Sequence, residues 1–401
     1  MTFLSKRQSF VSLTCILGGS AGIPMMLIGG QLATLYGNGV ALTSILIGNF
    51  ILWLIGLSIL SMAKHENTAL ENIRYYMGKR PSFVIAVIWI FSFLLWYVIQ
   101  LKVTIQAMSS FLPNQMQYLW IIGVGLGLMT AWLSMREIGI IKKLSTYLFP
   151  CLIVFAICSI ITSQHKIEFA GSWGISFVGI LSVVFIWLPF TLNLPTIFRY
   201  SSSKANSLIA LTLISISHVF FQIFALITGI DNPIKMVFLS FSVLTFLFIF
   251  CNCILVNILN IYFAKSALDL ISNTFGDGIK YLIIGITGTV FYIFFSEHFL
   301  MKFLEETILN FIVVLGAVLM FDFFIRAITR HRMRTLEKFW SSFCYFAGCI
   351  ASIIIKYKGN EGPEKTAFIG VIACSLILLM IIFAEETAWS IQNIRTRHKI
   401  E

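Results

Sequence analysis

Long apolar segments alternate with short polar ones along the whole chain. A membrane-spanning helix needs about 20 mainly apolar residues, and twelve segments of the sequence reach or approach that length. The pattern therefore predicts twelve spans, numbered 1 to 12 in chain order, at residues 10–35, 40–63, 82–110, 117–135, 143–163, 174–198, 206–228, 236–264, 280–296, 306–327, 340–357 and 366–388.

The composition also indicates a multi-pass membrane protein. Of the 401 residues, 58% are hydrophobic and 11% are charged, whereas soluble domains carry about 25% charged residues. A net charge of +11 can indicate nucleic-acid binding, but here the basic residues lie in short loops between apolar spans. We therefore expect a lipid bilayer around the protein and no nucleic-acid partner. The eight cysteines show no zinc-binding spacing, so we expect no metal site, cofactor or catalytic centre.

Lysine and arginine are concentrated in alternate loops. One set of loops holds most of them, including Arg7, Arg80, Lys142 and Arg330, whereas the opposite set is poor in positive charge or balanced by acids. Because basic loops stay in the cytoplasm, we predict a protein of the cell (inner) membrane with both termini cytoplasmic. The longest basic loop, residues 62–81, has a helical pattern and is expected on that surface.

Spans 1 and 6 contain helix-breaking residues near their centres, LGGSAGIPMM at 17–26 and WLPFTLNLP at 187–195. Breaks at corresponding positions of two five-span halves indicate a transporter site formed by inverted repeats. The backbone groups that they free can bind a polar solute or an ion, so the predicted site includes Gly22, Pro24, Leu188 and Pro189. A proline kink satisfied by neighbouring helices is the alternative.

Four stretches carry a family resemblance: residues 29–49, LLWYVIQ at 94–100, residues 187–207 and residues 315–332. They resemble the nucleobase:cation symporter-1 family, and its cytosine permease branch most closely, over roughly residues 10 to 330.

The resemblance implies an all-α, LeuT-like membrane fold of five plus five inverted-repeat helices with two extra C-terminal helices. The whole chain, 1–401, would form one transmembrane domain. Its repeats would lie at roughly 10–163 and 174–327, and the additional helices at 340–388.

The resemblance also implies a function, the transport of cytosine or another flat heterocycle by a secondary active permease coupled to Na+ or H+. The implied site stacks the ring between Trp96 and Trp187, and base–aromatic stacking contributes about 1–3 kcal/mol. Gln100, one helical turn after Trp96, and Asn257 and Asn260 on span 8 carry amides that can pair with the ring edge. The alternative is structural, with indoles that pack and amides that join helices.

Other polar residues of the resembling stretches are expected to have different roles. Asn193 is expected to cap a freed backbone group rather than bind the solute. Arg199 and Asp322 lie at the cytoplasmic ends of their spans, so we expect structural or gating roles.

The sequence departs from the family at the expected cation site between helices 1 and 8. Leu255 and Val256 stand where hydroxyl side chains are expected, and hard cations require oxygen ligands. Proton coupling, or no coupling, becomes an alternative to Na+. Lys102 on span 3 is the candidate proton carrier, because a buried lysine can titrate near neutrality; the alternative is that it snorkels to the outer interface.

Three other functions stay open at this point. An amino-acid or amine transporter of the same fold could use the glycine-rich break to bind a carboxylate. A sensor without transport activity could have the same fold. The sequence has no HExxH motif of a membrane-embedded enzyme, and its GxSxG match, residues 18–22, lies in the glycine-rich break of span 1. The exact substrate, the direction of transport and the oligomeric state do not follow from the sequence.

Overall fold

The computed structural model describes residues 7–18, 21–63, 66–109, 111, 118–163, 173–238, 242–272, 275–329, 338–359 and 362–397. Fifteen α-helices lie in these ranges: α1 (Phe10–Gly18), α2 (Ile23–Tyr36), α3 (Asn38–Met62), α4 (Ala69–Met77), α5 (Lys79–Ser109), α6 (Leu119–Ser134), α7 (Glu137–Thr162), α8 (Phe177–Phe198), α9 (Lys204–Thr228), α10 (Ser242–Ile271), α11 (Asp277–Phe294), α12 (Glu297–Thr307), α13 (Val313–Thr329), α14 (Lys338–Gly359) and α15 (Pro363–Arg397). A 3₁₀ turn, Pro233–Phe238, follows α9, and a π-helical turn, Ile308–Ile312, joins α12 to α13.

The predicted all-α membrane architecture is confirmed. Within the described residues, ten helical segments are long and apolar enough to cross a membrane, and the bent pair α1–α2 makes an eleventh. Helix α6, with 16 residues, is shorter than these and lies within the span predicted at 117–135. Boundaries differ by up to nine residues: span 12, predicted at 366–388, continues to Arg397 in α15, and span 8, predicted at 236–264, is α10 from Ser242 to Ile271.

The two predicted helix breaks have different outcomes. Span 1 is broken, since α1 and α2 meet at 67°. The predicted break in span 6 is wrong, because α8 is one helix with Pro189 and Pro195 inside it. The helix is buried without interruption from Ile186 to Phe198, so neighbouring helices enclose the stretch that contains both prolines. For span 6 the alternative interpretation therefore applies, in which the prolines lie within one helix whose backbone groups are satisfied by neighbouring helices.

The helices form two groups that face each other. The first group, called the bundle, consists of α1, α2, α3, α8 and α9, which pack mainly on one another. The second group, called the scaffold, consists of α5, α6, α10 and α11. The Tyr97 hydroxyl joins three scaffold helices, because it donates to the Gly127 carbonyl at 2.8 Å and lies 3.2 Å from Thr289 Oγ1. Helix α7 contacts both groups.

Helices α2 and α9 of the bundle approach each other backbone to backbone. A Cβ atom on Gly29 would lie 1.9 Å from the Gln222 carbonyl oxygen, and one on Gly30 would lie 2.0 Å from that of Ile230. Membrane helices associate closely where small residues line the contact, since lipid supplies little hydrophobic force between them. These glycines therefore set the position of α9 against the broken span.

The loop predicted to be helical forms α4. A capping box starts this helix, in which Thr68 Oγ1 accepts from the Glu71 amide at 3.2 Å and the Glu71 carboxylate accepts from the Thr68 amide at 2.6 Å. The Ala69 amide donates to Thr196 Oγ1 at 3.1 Å, which attaches α4 to the end of α8. Helices α14 and α15 pack as a pair against α13.

Candidate functional site

The first span breaks between Gly18 and Ile23, where the chain turns into α2. Gly22 precedes α2 in an extended conformation, with φ of −66° and ψ of 160°, and Pro24 lies in the first turn. Proline is well tolerated there, because the first amide groups of a helix have no partner within it. The break thus leaves backbone N–H and C=O groups inside the protein.

Asn252 of α10 binds both sides of this break. Its Nδ2 donates to the Ala21 carbonyl at 2.8 Å, and its Oδ1 accepts from the Ile23 amide at 3.1 Å. Asn252 is fully buried. One side chain therefore satisfies two of the backbone groups that the break frees, as buried polar groups require.

Gln100 of α5 completes the contact of the scaffold with the break. Its Nε2 donates to Asn252 Oδ1 at 3.2 Å. A Cβ atom on Gly22 would lie 2.7 Å from Gln100 Oε1 and 3.4 Å from Val256 Cγ2. The structure thus brings together two predicted site residues, Gln100 and Gly22, and glycine leaves the room that the amide occupies.

The described side chains at this contact supply few free oxygen ligands to a hard cation, which needs several. The Ala21 carbonyl accepts a hydrogen bond from Asn252, and Asn252 Oδ1 accepts two, from the Ile23 amide and Gln100 Nε2. Leu255 and Val256, which follow on α10, are buried and apolar. Among the described residues no cluster of His, Cys, Asp or Glu could hold a metal ion.

Trp187 of α8 has an aromatic partner that the sequence did not predict. Its ring stacks on His218 of α9, with ring centroids 3.2 Å apart and planes 20° apart. Trp187 also meets Phe190 edge to face at 5.6 Å. The residue that stacks on Trp187 here is therefore an imidazole of the bundle rather than Trp96.

An aromatic cluster joins the bundle to the scaffold beside Trp187. Phe190 of α8 meets Phe93 of α5 and Phe263 of α10 edge to face, both at 5.7 Å. Phe93 and Phe263 are fully buried. The space between the two groups is closed by rings at this level.

Trp96, Asn257 and Asn260 lie on the scaffold and are buried. Asn260 Nδ2 donates to Asn257 Oδ1 at 3.4 Å, and Asn257 Nδ2 lies 3.6 Å from the Cys253 sulfur. Among the buried side-chain atoms without a hydrogen-bond partner are three of the predicted site: Trp96 Nε1, Trp187 Nε1 and Asn260 Oδ1. Buried polar atoms are rarely left unpaired, so these two donors and one acceptor are available to a bound solute.

Three predicted site residues have other surroundings. Leu188 faces α13, since a Cβ atom on Gly316 would lie 3.3 Å from its Cδ1. Pro189 lies inside continuous α8. Lys102 is half-buried, and its ammonium nitrogen lies 4.8 Å from the centre of the Tyr292 ring. The ammonium group predicted to carry a proton therefore packs on an aromatic face.

Asn193, Arg199 and Asp322, for which structural or gating roles are expected, are each buried or half-buried. Asn193 Nδ2 donates to the Pro189 carbonyl one turn earlier, at 3.2 Å. Arg199, just past the end of α8, donates to the Tyr200 hydroxyl at 2.6 Å and to that of Tyr262 at 3.4 Å. Burial, the largest influence, lowers the pKa of Arg199, but the two tyrosines raise it overall. Asp322 is buried on α13.

Two cavities lined by described residues are too small for a heterocycle in this conformation. One, beside Trp187 and His218, has about 20 Å³ in which the centre of a water-sized sphere can sit, enough for about one water. Another, of about 60 Å³, lies beside Arg199 and Lys204. At these two places the site is closed, and a heterocycle would need the helices to move apart.

Sequence reasoning missed Asn252 and His218. On span 8, sequence reasoning named the amides of Asn257 and Asn260 but not that of Asn252. His218 had a usable signal, since it is the one histidine inside any of the twelve predicted spans. Ionisable residues within spans are functional candidates by default.

No protein-family model and no curated protein matches the sequence. Solved structures do match the fold. Mhp1, a nucleobase-cation-symport-1 family transporter in a closed conformation with bromovinylhydantoin bound, is 14% identical and aligns over 96% of this chain and 95% of its own, with a TM-score of 0.63.

Two other solved transporters are similar. A Na+-coupled sialic acid symporter in a substrate-bound outward-open state is 12% identical, over 92% of this chain and 89% of its own, with a TM-score of 0.62. A manganese transporter from Eremococcus coleocola is 12% identical, over 96% and 94%, with a TM-score of 0.57. The chain therefore has the fold shared by these membrane transporters, as the resemblance predicted.

Proposed function

We propose that this protein is a secondary transporter that moves a small planar nitrogen heterocycle, such as cytosine or another nucleobase, across the cell membrane. The observation that carries the proposal is the set of unpaired buried atoms, Trp96 Nε1, Trp187 Nε1 and Asn260 Oδ1. A ring with both donors and acceptors on its edge can pair with such a set. The two indoles add faces on which a flat ring can stack.

Alternating access in this proposal comes from relative movement of the bundle and the scaffold. The broken span, α1 and α2, is the part of the bundle that α10 and α5 of the scaffold hold through Asn252 and Gln100. Separation of the Phe190 contacts with Phe93 and Phe263 opens the closed site. The fold likeness to Mhp1, a transporter with bromovinylhydantoin bound, supports a planar ring as the cargo.

The coupling ion in the proposal is H+ rather than Na+. Its support is the contact of Asn252 with Ala21 and the apolar side chains of Leu255 and Val256, which offer no oxygen ligand to a cation. We further propose, from the distribution of lysine and arginine, that both termini lie in the cytoplasm.

The amino-acid transporter is a weaker candidate because three backbone N–H groups at the break already have partners. A substrate carboxylate at the break would need free backbone N–H groups. The Ile23 amide donates to Asn252 Oδ1 at 3.1 Å, and the Met25 and Met26 amides donate to the Gly22 carbonyl at 3.0 and 3.1 Å. These donors are already used within the protein.

The test measures binding to the purified protein by thermal shift and equilibrium dialysis. The ligand panel is cytosine, uracil, adenine, guanine, allantoin and hydantoin, at two pH values and with or without Na+. We expect one heterocycle to stabilise the protein, because a ligand that binds only the folded state raises its stability.

Three variants locate the bound ring. Trp96→Ala and Trp187→Ala should each weaken binding about 5- to 150-fold, the equivalent of losing about 1–3 kcal/mol of stacking. Trp132→Ala removes an indole that is 55% exposed on α6 and should leave affinity unchanged. Failure of every heterocycle to bind the folded protein would refute the proposed cargo.

A further inference from the structure

His218 is a titratable side chain buried inside the bundle. It lies on α9, its side chain is only 7% exposed, and its ring stacks on Trp187 with 3.2 Å between centroids. The predicted site faces the scaffold, whereas α9 packs on α1, α2 and α3. His218 therefore supports the Trp187 indole from the bundle side.

The atoms around this stack lack the partners that buried polar groups normally have. His218 Nε2, Trp187 Nε1 and Gln222 Nε2 have no hydrogen-bond partner. Gln222 follows His218 by one helical turn, and its Oε1 accepts from Asn49 at 2.7 Å. Asn49, Trp187 and His218 line the cavity of about 20 Å³, so one water has room to reach the imidazole.

No charged side chain lines this cavity. Helices α3 and α8 carry no titratable side chain. On the other described helices packed against α9, and on α9 itself, the titratable residues with described side chains do not line it; they are Cys15, Tyr36, Lys142, Lys143, Tyr147, Cys151, Cys158 and Lys204. A proton on His218 would therefore interact first with the Trp187 ring, whose face attracts a cation.

We propose that His218 is the proton-binding residue that couples H+ to solute binding, through the Trp187 indole that both contact. This rests on the proposed function, because the coupled solute is the heterocycle. When the bundle opens to one side, the Nε2 lone pair takes a proton from water and the imidazolium stays stacked on the indole. When the bundle opens to the other side, the proton returns to water.

The coupling is reciprocal. Imidazolium on one face and solute on the other each favour the same orientation of Trp187, so protonation strengthens solute binding and solute binding strengthens protonation. Lys102 is less suited to this role, since its ammonium lies over Tyr292 and no described contact joins it to Trp187 or the break.

The first experiment needs no solute. Protonated imidazole quenches a stacked indole, so tryptophan fluorescence of the purified protein should show a step on acidification. The step should disappear in His218→Gln and in Trp187→Phe. His298→Gln, which changes an exposed histidine, is the matched control and should keep it. A step that survives in His218→Gln or in Trp187→Phe would overturn the proposal, as would its absence from the wild type.

The second experiment measures heterocycle affinity against pH. Binding linked to one proton weakens about tenfold per pH unit above the titration range, so the wild type should show this slope and folded His218→Gln should not. Equal slopes in both would overturn the proposal while the proposed function stands. If the fluorescence step depends on His218 but none of the heterocycles binds the folded protein at any pH, the proposed cargo is refuted instead. If His218→Gln does not fold, Trp187→Phe and the wild type still decide the fluorescence result.

Discussion

Replacing Asn252 by alanine tests whether one amide holds the broken span against the scaffold. The wild-type side chain makes three hydrogen bonds, to the Ala21 carbonyl at 2.8 Å, the Ile23 amide at 3.1 Å and Gln100 Nε2 at 3.2 Å. All of these groups are buried, and Asn252→Ala removes their partner without changing the backbone of α10.

The expected loss of stability has two bounds. A buried group left without its partner costs about 1–3 kcal/mol, whereas hydrogen bonds between membrane helices average about 0.6 kcal/mol in mutant cycles. For three groups these values give a fall in the free energy of unfolding of about 2–9 kcal/mol. A water that enters the space left by the amide would pair with some of these groups, so we expect a fall of about 2–6 kcal/mol.

The assay is reversible unfolding in mixed micelles, followed by circular dichroism, with thermal shift as a second measurement. Asn193→Ala is the matched control, because Asn193 is equally buried but bonds only within α8. Its loss should be smaller than that of Asn252→Ala. Equal losses for the two variants, or an Asn252→Ala protein as stable as the wild type, would refute the reasoning.

Three further predictions concern other parts of the molecule. Gly29→Ala places a methyl group 1.9 Å from the α9 backbone and should destabilise by at least about 1–3 kcal/mol in the same unfolding assay, whereas Gly125→Ala meets nothing within 4 Å and should be harmless. Asn252→Asp puts a carboxylate at the break, so Na+ should raise the thermal stability of this variant but not that of the wild type. Equal stabilisation of both by Na+ would contradict the claim that the wild-type break does not bind Na+. Burial, the largest influence, raises the pKa of Asp231, but the hydrogen bond and charge of Lys235 lower it overall from 3.8. Its stabilisation is complete above the ordinary pKa and disappears as the pH falls through the lowered one, so Asp231→Asn should flatten the thermal-stability profile below about pH 4.

Hydrophobic pattern predicted the helices well, because a lipid bilayer imposes length and apolarity on every span. The capping box of α4 follows from Thr68 and Glu71, and the break at Gly22 from its glycines and proline. Proline alone did not identify a break, since α8 keeps Pro189 and Pro195 inside one buried helix. The packing that encloses such a helix is not visible in its own residues.

The candidate site was predicted in part. The helix break predicted Gly22 and the turn after Trp96 predicted Gln100, and the fold brings these two residues together. Asn252 and His218 depend on contacts between residues far apart in the chain, Ala21 with Asn252 and Trp187 with His218. A single sequence does not show which residues far apart in the chain come into contact. The side of Trp187 that a solute can reach likewise depends on where α9 lies.

Transport is the central claim, and counterflow into proteoliposomes tests it most directly. Vesicles containing the purified protein are loaded with unlabelled cytosine, uracil or hydantoin and diluted into the same labelled compound. The account predicts transient accumulation of one of these rings, faster at acidic external pH, independent of Na+ and lost in Trp187→Ala but not in Trp132→Ala. A folded, reconstituted protein that binds a ring without accumulating it would be a sensor, and one that neither binds nor accumulates any of them would contradict the account.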